Sequence, residues 1–119
     1  MEIYKEFAFD SAHFLPNVPD GHKCKEIHGH TYHLRVYVKD KPDEKLGWIM
    51  DFKELKDMVN SLVDQVDHKL MNNIKGLENP TAENIAVVIY KLLRPHIDKE
   101  KDLMIRLYET PRNYVEYPG

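Results

Sequence analysis

Cys24-Lys25-Glu26-Ile27-His28-Gly29-His30-Thr31-Tyr32-His33-Leu34-Arg35-Val36-Tyr37-Val38-Lys39 runs from a cluster of potential ligands into a cleanly alternating apolar stretch. In an extended chain successive side chains point to opposite faces, so Leu34, Val36 and Val38 share one side, and His33, Arg35, Tyr37 and Lys39 the other. That alternation predicts a strand over Tyr32 to Lys39 with one face buried. Carrying the same parity back through Tyr32 puts His30 and His28 on the buried side, with Gly29 opposite them. A buried pair of imidazoles needs a partner. Zinc fits best, because neutral imidazole is a favoured ligand and catalytic zinc sites commonly take three protein ligands, leaving a fourth position open. The alternative is a turn whose two histidines are merely hydrogen-bonded.

A third ligand has to come from elsewhere, and His13 is the leading candidate. It ends the run Ile3 to Phe14, whose positions Ile3, Phe7 and Phe9 share its parity and read as a strand. Paired antiparallel with the second strand, that run carries His13 to the start of the His28-Gly29-His30 segment. Between the two strands, Asn17, Pro19, Asp20, Gly21 and His22 signal an irregular loop longer than a hairpin connection. Cys24 ends this loop, where its sulfur could reach an open metal face.

With 119 residues the length indicates one domain spanning 1–119. A hydrophobic content of 42%, a charged content of 31% and a net charge of -3 are ordinary for a soluble protein and give no reason to expect nucleic-acid binding. The longest apolar run, Ile85 to Tyr90, is too short to cross a bilayer. Met1 to Glu6 lacks the features of a signal peptide, so a cytoplasmic, membrane-free protein is expected. A single cysteine leaves no intrachain disulfide framework.

Further along, Asp40 to Lys45 is a solvated turn, and Gly47-Trp48-Ile49-Met50 extends the sheet briefly. Asp51, followed by Glu54, has the pattern of a capping box, opening a helix with the core stripe Phe52, Leu55, Val59, Leu62, Val63 and Val66. Leu70 to Asn79 is a loop. Thr81 caps a second helix with the stripe Ile85, Val88, Ile89, Leu92 and Leu93, ended or kinked by Pro95. Leu103 to Tyr108 alternates as a third strand, and a turn at Thr110 to Asn113 leads to a fourth, Tyr114 to Tyr117. The order β-β-α-α-β-β describes an α+β fold, an antiparallel sheet with both helices on one face. Its two free edges could be hidden by self-assembly.

Outside the histidine cluster, Glu109 continues the inward parity of Leu103, Ile105 and Leu107. A carboxylate there needs either donors from a bound ligand or an arginine such as Arg106 or Arg112. Asp67-His68 sets a carboxylate beside an imidazole at a helix end, which could orient a proton carrier or could be a surface pair. A thiol near a divalent cation is more easily deprotonated, making Cys24 a base or nucleophile, with Glu26 able to share that role. His22, His33 and His96 are read as structural.

Together, Phe9-Asp10-Ser11-Ala12-His13, Cys24-x-x-x-His28-Gly29-His30, Met50-Asp51-Phe52, Asp67-His68, Asn79-Pro80-Thr81-x-Glu83-Asn84 and Glu109-Thr110 resemble the 6-pyruvoyl-tetrahydropterin synthase and 6-carboxytetrahydropterin synthase family over essentially the whole chain. The resemblance implies the T-fold, with trimers closing a barrel of strands and two trimers stacking into a homohexamer. It implies zinc held by His13, His28 and His30, Cys24 abstracting a proton, and Asp67 with His68 as a relay assisting it, reaching across a subunit interface. Glu109 would anchor the pterin ring, with Thr81 helping. The implied substrate is 7,8-dihydroneopterin triphosphate. The three-residue gap between Cys24 and His28 resembles the carboxy-forming branch that feeds queuosine synthesis; the pyruvoyl-forming and aldolase-like branches, and a zinc- or pterin-binding scaffold, are the rivals.

Overall fold

The computed structural model describes residues 1–119. Strand β1 (Glu2–His13) and strand β2 (His28–Lys39) form a long antiparallel hairpin, followed by helix α1 (Phe52–Val63), helix α2 (Ala82–Leu93) and strands β3 (Asp102–Thr110) and β4 (Asn113–Tyr117). The four strands make one antiparallel sheet in the order β1-β2-β3-β4. Alternation decides which face is dry. Phe7 and Phe9 of β1, Tyr32, Leu34, Val36 and Val38 of β2, and Leu103, Ile105 and Leu107 of β3 point to one side. They merge with Leu55, Val59, Ile85, Ile89 and Leu93 of the two helices into a single core. Full burial of each such side chain contributes about 1.5–3 kcal/mol before entropy is charged against it.

Both helices begin where their caps dictate. Asp51 accepts from the Lys53 main-chain N–H at 2.9 Å and opens α1; Thr81 accepts from the Asn84 N–H at 3.2 Å and opens α2. Such caps satisfy donors that the first helical turn leaves free. α1 ends at Val63, and the chain turns through residues 64–68. Val66 is buried all the same, whereas Phe52, at the other end of the expected stripe, is 52% exposed and outside the core. Gly47 to Met50 adds no strand. Gly47 and Trp48 carry no regular structure and Ile49–Met50 bend, with Gly47 at φ +76°, a left-handed conformation that breaks strand geometry. The Leu70 to Asn79 segment contains a short 3-10 turn at Met71–Asn73, and Pro95 lies in another at Arg94–His96, directly after the end of α2.

On the outer sheet face, Glu6, Arg35, Arg106 and Glu116 form one row across all four strands. Arg35 pairs with Glu6 at 2.8 Å and Arg106 Nε with Glu116 at 2.7 Å, each guanidinium lying over tyrosine rings. The edge of β1 is covered only near its end, where Ala12 forms a parallel bridge to Leu70. No helix is long and apolar enough to cross a membrane.

Candidate metal centre and adjoining clefts

Antiparallel register brings His13 directly opposite His28, with Ser11 opposite His30. The parity that buries Leu34 and Val36 therefore turns three imidazoles toward one point at the end of the hairpin. Their ligand nitrogens lie within 4.8 Å of one another. His13 is 1% exposed, and its Nδ1 sits 2.7 Å from the Pro80 carbonyl; the His28 Nδ1 sits 2.8 Å from the Glu26 carbonyl. A carbonyl can only accept, so in the neutral rings both Nδ1 atoms carry the proton. The two Nε2 atoms then face each other at 3.0 Å as bare acceptors. The Nε2 of His30 is buried with no hydrogen-bond partner. Burial holds the pKa of His13 below the usual 6.5, an effect only partly offset by the Pro80 carbonyl, and burial likewise lowers that of His30 against the pull of Glu109. Three imidazoles with converging ring nitrogens are the donor set a borderline-soft divalent cation takes. Zinc–nitrogen bonds of about 2.0–2.1 Å set tetrahedral ligands about 3.3 Å apart, against the 3.0 Å between His13 Nε2 and His28 Nε2. The carbonyls supply the outer hydrogen bonds that fix ligand orientation.

Glu109 reaches the same point from β3. Its carboxylate oxygens lie 4.0 Å from His13 Nε2 and 3.8 Å from His30 Nε2. Of the arginines that might have paired with it, Arg106 is taken by Glu116. Glu109 also lines a cleft of about 450 Å³ with Leu15, Thr81, Glu83, Asn113 and Tyr114, so the two residues expected to hold a ring share one cavity. Cys24 lies in a short turn at Lys23–Lys25, half-buried, and is not in the group of converging ligand atoms. Its carbonyl accepts from the Leu15 N–H at 2.8 Å, tying the ends of the loop together.

Asp67 and His68 make the direct contact that adjacent helical residues cannot, because the helix has already ended. His68 Nδ1 is 3.0 Å from Asp67 Oδ1. The main chain of β1 holds the pair: Asp10 N–H donates to Asp67 Oδ1 at 2.9 Å, and His68 N–H donates to the Asp10 carbonyl at 2.6 Å. The Asp10 N–H is the largest cause holding Asp67 below the ordinary carboxylate range. His68 is at φ +55°, a conformation unfavourable for a non-glycine residue and often kept where a side chain must be aimed. It lines a second cleft, of about 520 Å³, together with Ser11, His30, Thr31 and Lys69.

Several contributors escaped sequence reading. The Pro80 and Glu26 carbonyls leave no trace in side-chain pattern. Tyr32, fully buried and edge-on to His13 and His30, looked like one more core residue of its strand. Asp10, whose carboxylate accepts from Thr31 Oγ1 at 2.5 Å, is adjacent to Asp67 only through the fold.

Comparison with known proteins identifies the family to which this fold belongs. The family model described as 6-pyruvoyl tetrahydropterin synthase matches residues 2–119. Over 96 residues the chain is 43% identical to the 6-carboxy-5,6,7,8-tetrahydropterin synthase of Synechocystis sp., covering 76% of this chain and 73% of that one. It is 38% identical over 95 residues to the dihydroneopterin monophosphate aldolase of Pyrococcus furiosus, covering 80% and 75%. The solved 6-pyruvoyl tetrahydropterin synthase of Caenorhabditis elegans superposes with a TM-score of 0.90 at 25% sequence identity, covering 100% of this chain and 95% of that one. With the same strand and helix order, and with this match running nearly end to end, the chain has the T-fold and belongs to the 6-pyruvoyl tetrahydropterin synthase family.

Proposed function

We propose that the protein is a zinc-dependent lyase that takes 7,8-dihydroneopterin triphosphate and water to 6-carboxy-5,6,7,8-tetrahydropterin, acetaldehyde and triphosphate, the step that feeds queuosine synthesis. The observation that carries the reading is the convergence of three imidazole nitrogens, one of them buried without a partner, beside a carboxylate that opens into a ring-sized cleft. The carboxy branch is favoured by the Cys24-x-x-x-His28 spacing and by the name of the Synechocystis relative.

In this reading His13, His28 and His30 hold zinc, which when bound supplies Lewis-acid polarisation of the side-chain hydroxyls. Glu109 accepts hydrogen bonds from the pterin ring nitrogen and amino group, with Thr81 beside it, and so orients the side chain toward the histidines. Cys24 removes a proton from that side chain, and Asp67 with His68 carries protons to and from it. The overall conversion is internally balanced. The ring gains two hydrogens while a side-chain carbon rises to a carboxyl, so no external reductant is needed. Assembly as a hexamer of two trimers is supported by the uncovered edges of β1 and β4. A lone thiol as catalyst suits the reducing cytoplasm.

The test is to incubate zinc-loaded protein with dihydroneopterin triphosphate and identify pterins and acetaldehyde by mass spectrometry. Carboxytetrahydropterin with acetaldehyde is expected, and Cys24→Ala should abolish it while zinc stays bound. A 6-pyruvoyl or 6-hydroxymethyl product would move the protein to a sister branch, the second of which the Pyrococcus furiosus relative's name makes the leading rival. No turnover by a metal-replete oligomer would leave a zinc- or pterin-binding scaffold.

A further inference from the structure

His13 is held at two points. Its main chain leaves β1 into Phe14, and its ring is aimed by the Pro80 carbonyl at 2.7 Å. His13 and Pro80 lie 67 residues apart in sequence, and the Asn72 side chain reaches the chain beside each of them. Asn72 Oδ1 accepts from the Phe14 N–H at 3.0 Å, and Asn72 Nδ2 donates to the Phe14 carbonyl at 2.8 Å. The amide thus pairs with Phe14 as a neighbouring strand residue would, one position beyond the end of β1. Nδ2 also lies 3.4 Å from the carbonyl of Glu78, at the start of the Glu78-Asn79-Pro80 turn. The turn is braced from its other side, where Asn84 Nδ2 donates to the Asn79 carbonyl at 2.8 Å and Thr81 N–H donates to the same atom at 3.0 Å. Asn72 itself rides on a rigid anchor, because Met71 before it is fully buried in the core.

We propose that Asn72 is a positioning residue for the metal ligand His13: its amide locks the chain leaving His13 to the turn whose Pro80 carbonyl aims the His13 ring. The inference rests on the reading of His13, His28 and His30 as metal ligands. It also extends to the loop. Leu15 N–H, one residue past the clasp, donates to the Cys24 carbonyl, so the Asn72 amide fixes the base from which Cys24 is presented. Asn72 acts by keeping His13 Nε2 at its place opposite His28; loss of a direct partner of a ligand typically weakens metal affinity by about 10- to 100-fold, and the Asn72 clasp, one residue further out, falls at the lower end of that range.

The experiment is zinc titration of the reduced, full-length protein against a chromophoric chelator, comparing wild type with Asn72→Leu, which keeps side-chain size without donor or acceptor, and with Asn72→Ala. Asp43→Ala serves as the stability control; Asp43 Oδ1 accepts from the Lys45 and Leu46 N–H groups at 2.8 Å in a turn outside both clefts, and alanine removes that acceptor. Asn72→Leu and Asn72→Ala should weaken zinc about 10-fold and shift the visible bands of the cobalt(II)-substituted protein, while Asp43→Ala loses thermal stability with unchanged affinity and spectrum. Unchanged zinc affinity and cobalt spectrum in whichever Asn72 variant is recovered folded would overturn the proposal. A wild type that binds no zinc would refute the three-histidine reading and this inference with it, a result separable from intact wild-type binding with unaffected variants.

Discussion

Replacing His30 by Leu should reverse its effect on stability according to whether metal is present. In the metal-free protein the Nε2 of His30 is buried without a hydrogen-bond partner, although the side chain as a whole keeps 18% of its exposure. A buried unsatisfied group costs about 1–3 kcal/mol, and partial exposure places this one near the lower limit. Leucine removes the nitrogen and leaves an apolar side chain against the ring of Tyr32, whose centroid is 5.6 Å from that of His30. Metal-free His30→Leu should therefore be as stable as wild type or more stable by about 1 kcal/mol, a rise of roughly 3–5 °C in melting temperature for a chain of this size. With free zinc at about 100 times its dissociation constant, wild type should gain about 2.7 kcal/mol, or roughly 8–13 °C, while the variant gains little. Thermal melts followed by circular dichroism, on chelator-treated and zinc-loaded samples, read both halves. A metal-free variant melting well below wild type would refute the cost assigned to the orphan nitrogen. A full zinc shift surviving the substitution would refute His30 as a ligand.

On the proposed role of Glu109 as the anchor of the pterin ring, Glu109→Gln should raise KM and lower kcat/KM by about 10²-fold or more, because a carboxylate able to accept from two ring donors is replaced by a group with only one acceptor atom; zinc content measured by atomic absorption should not change. Thr81→Ala should cost about 1 kcal/mol in denaturant unfolding through the lost α2 cap, and the shared cleft predicts a higher KM besides. Burial lowers the pKa values of His13 and His30 below 6.5, so as pH falls through 6.5 the unfolded chain takes up protons that the folded chain refuses. The metal-free protein should accordingly lose stability on acidification below about pH 6.5, and the loss should shrink in His13→Gln/His30→Gln; an identical pH dependence in the two proteins would contradict the assignment.

Alternation alone carried much of the fold. The period-two pattern of Leu34, Val36 and Val38 located β2 and, extended by parity, put His28 and His30 on its buried face; the same rule, applied to Phe7 and Phe9, faced His13 inward. Glu109 was legible in the same way, as the position after Leu103, Ile105 and Leu107. Capping chemistry at Asp51 and Thr81 marked both helix starts, because a side-chain acceptor two or three residues ahead of a free N–H is a local feature. Local pattern failed where geometry departs from its period. The left-handed Gly47 interrupts the stretch expected to extend the sheet, and Phe52, in phase with its helix, stays exposed at the first turn and outside the core.

What the sequence by itself determined was the set of chemical groups and the face on which each lies, since both follow from residue identity and from backbone periods that hold over a few residues. Only the tertiary structure decided the distances. The 3.0 Å approach of His13 to His28 depends on strand register, and the pairing of Asp67 with His68 on where α1 stops. The Pro80 carbonyl and the Asn72 amide come to His13 across 67 and to Phe14 across 58 residues of chain. Such contacts are chosen by the packing of the whole core, in which Met71 and Leu77 are fully buried, and no local stretch of sequence encodes them.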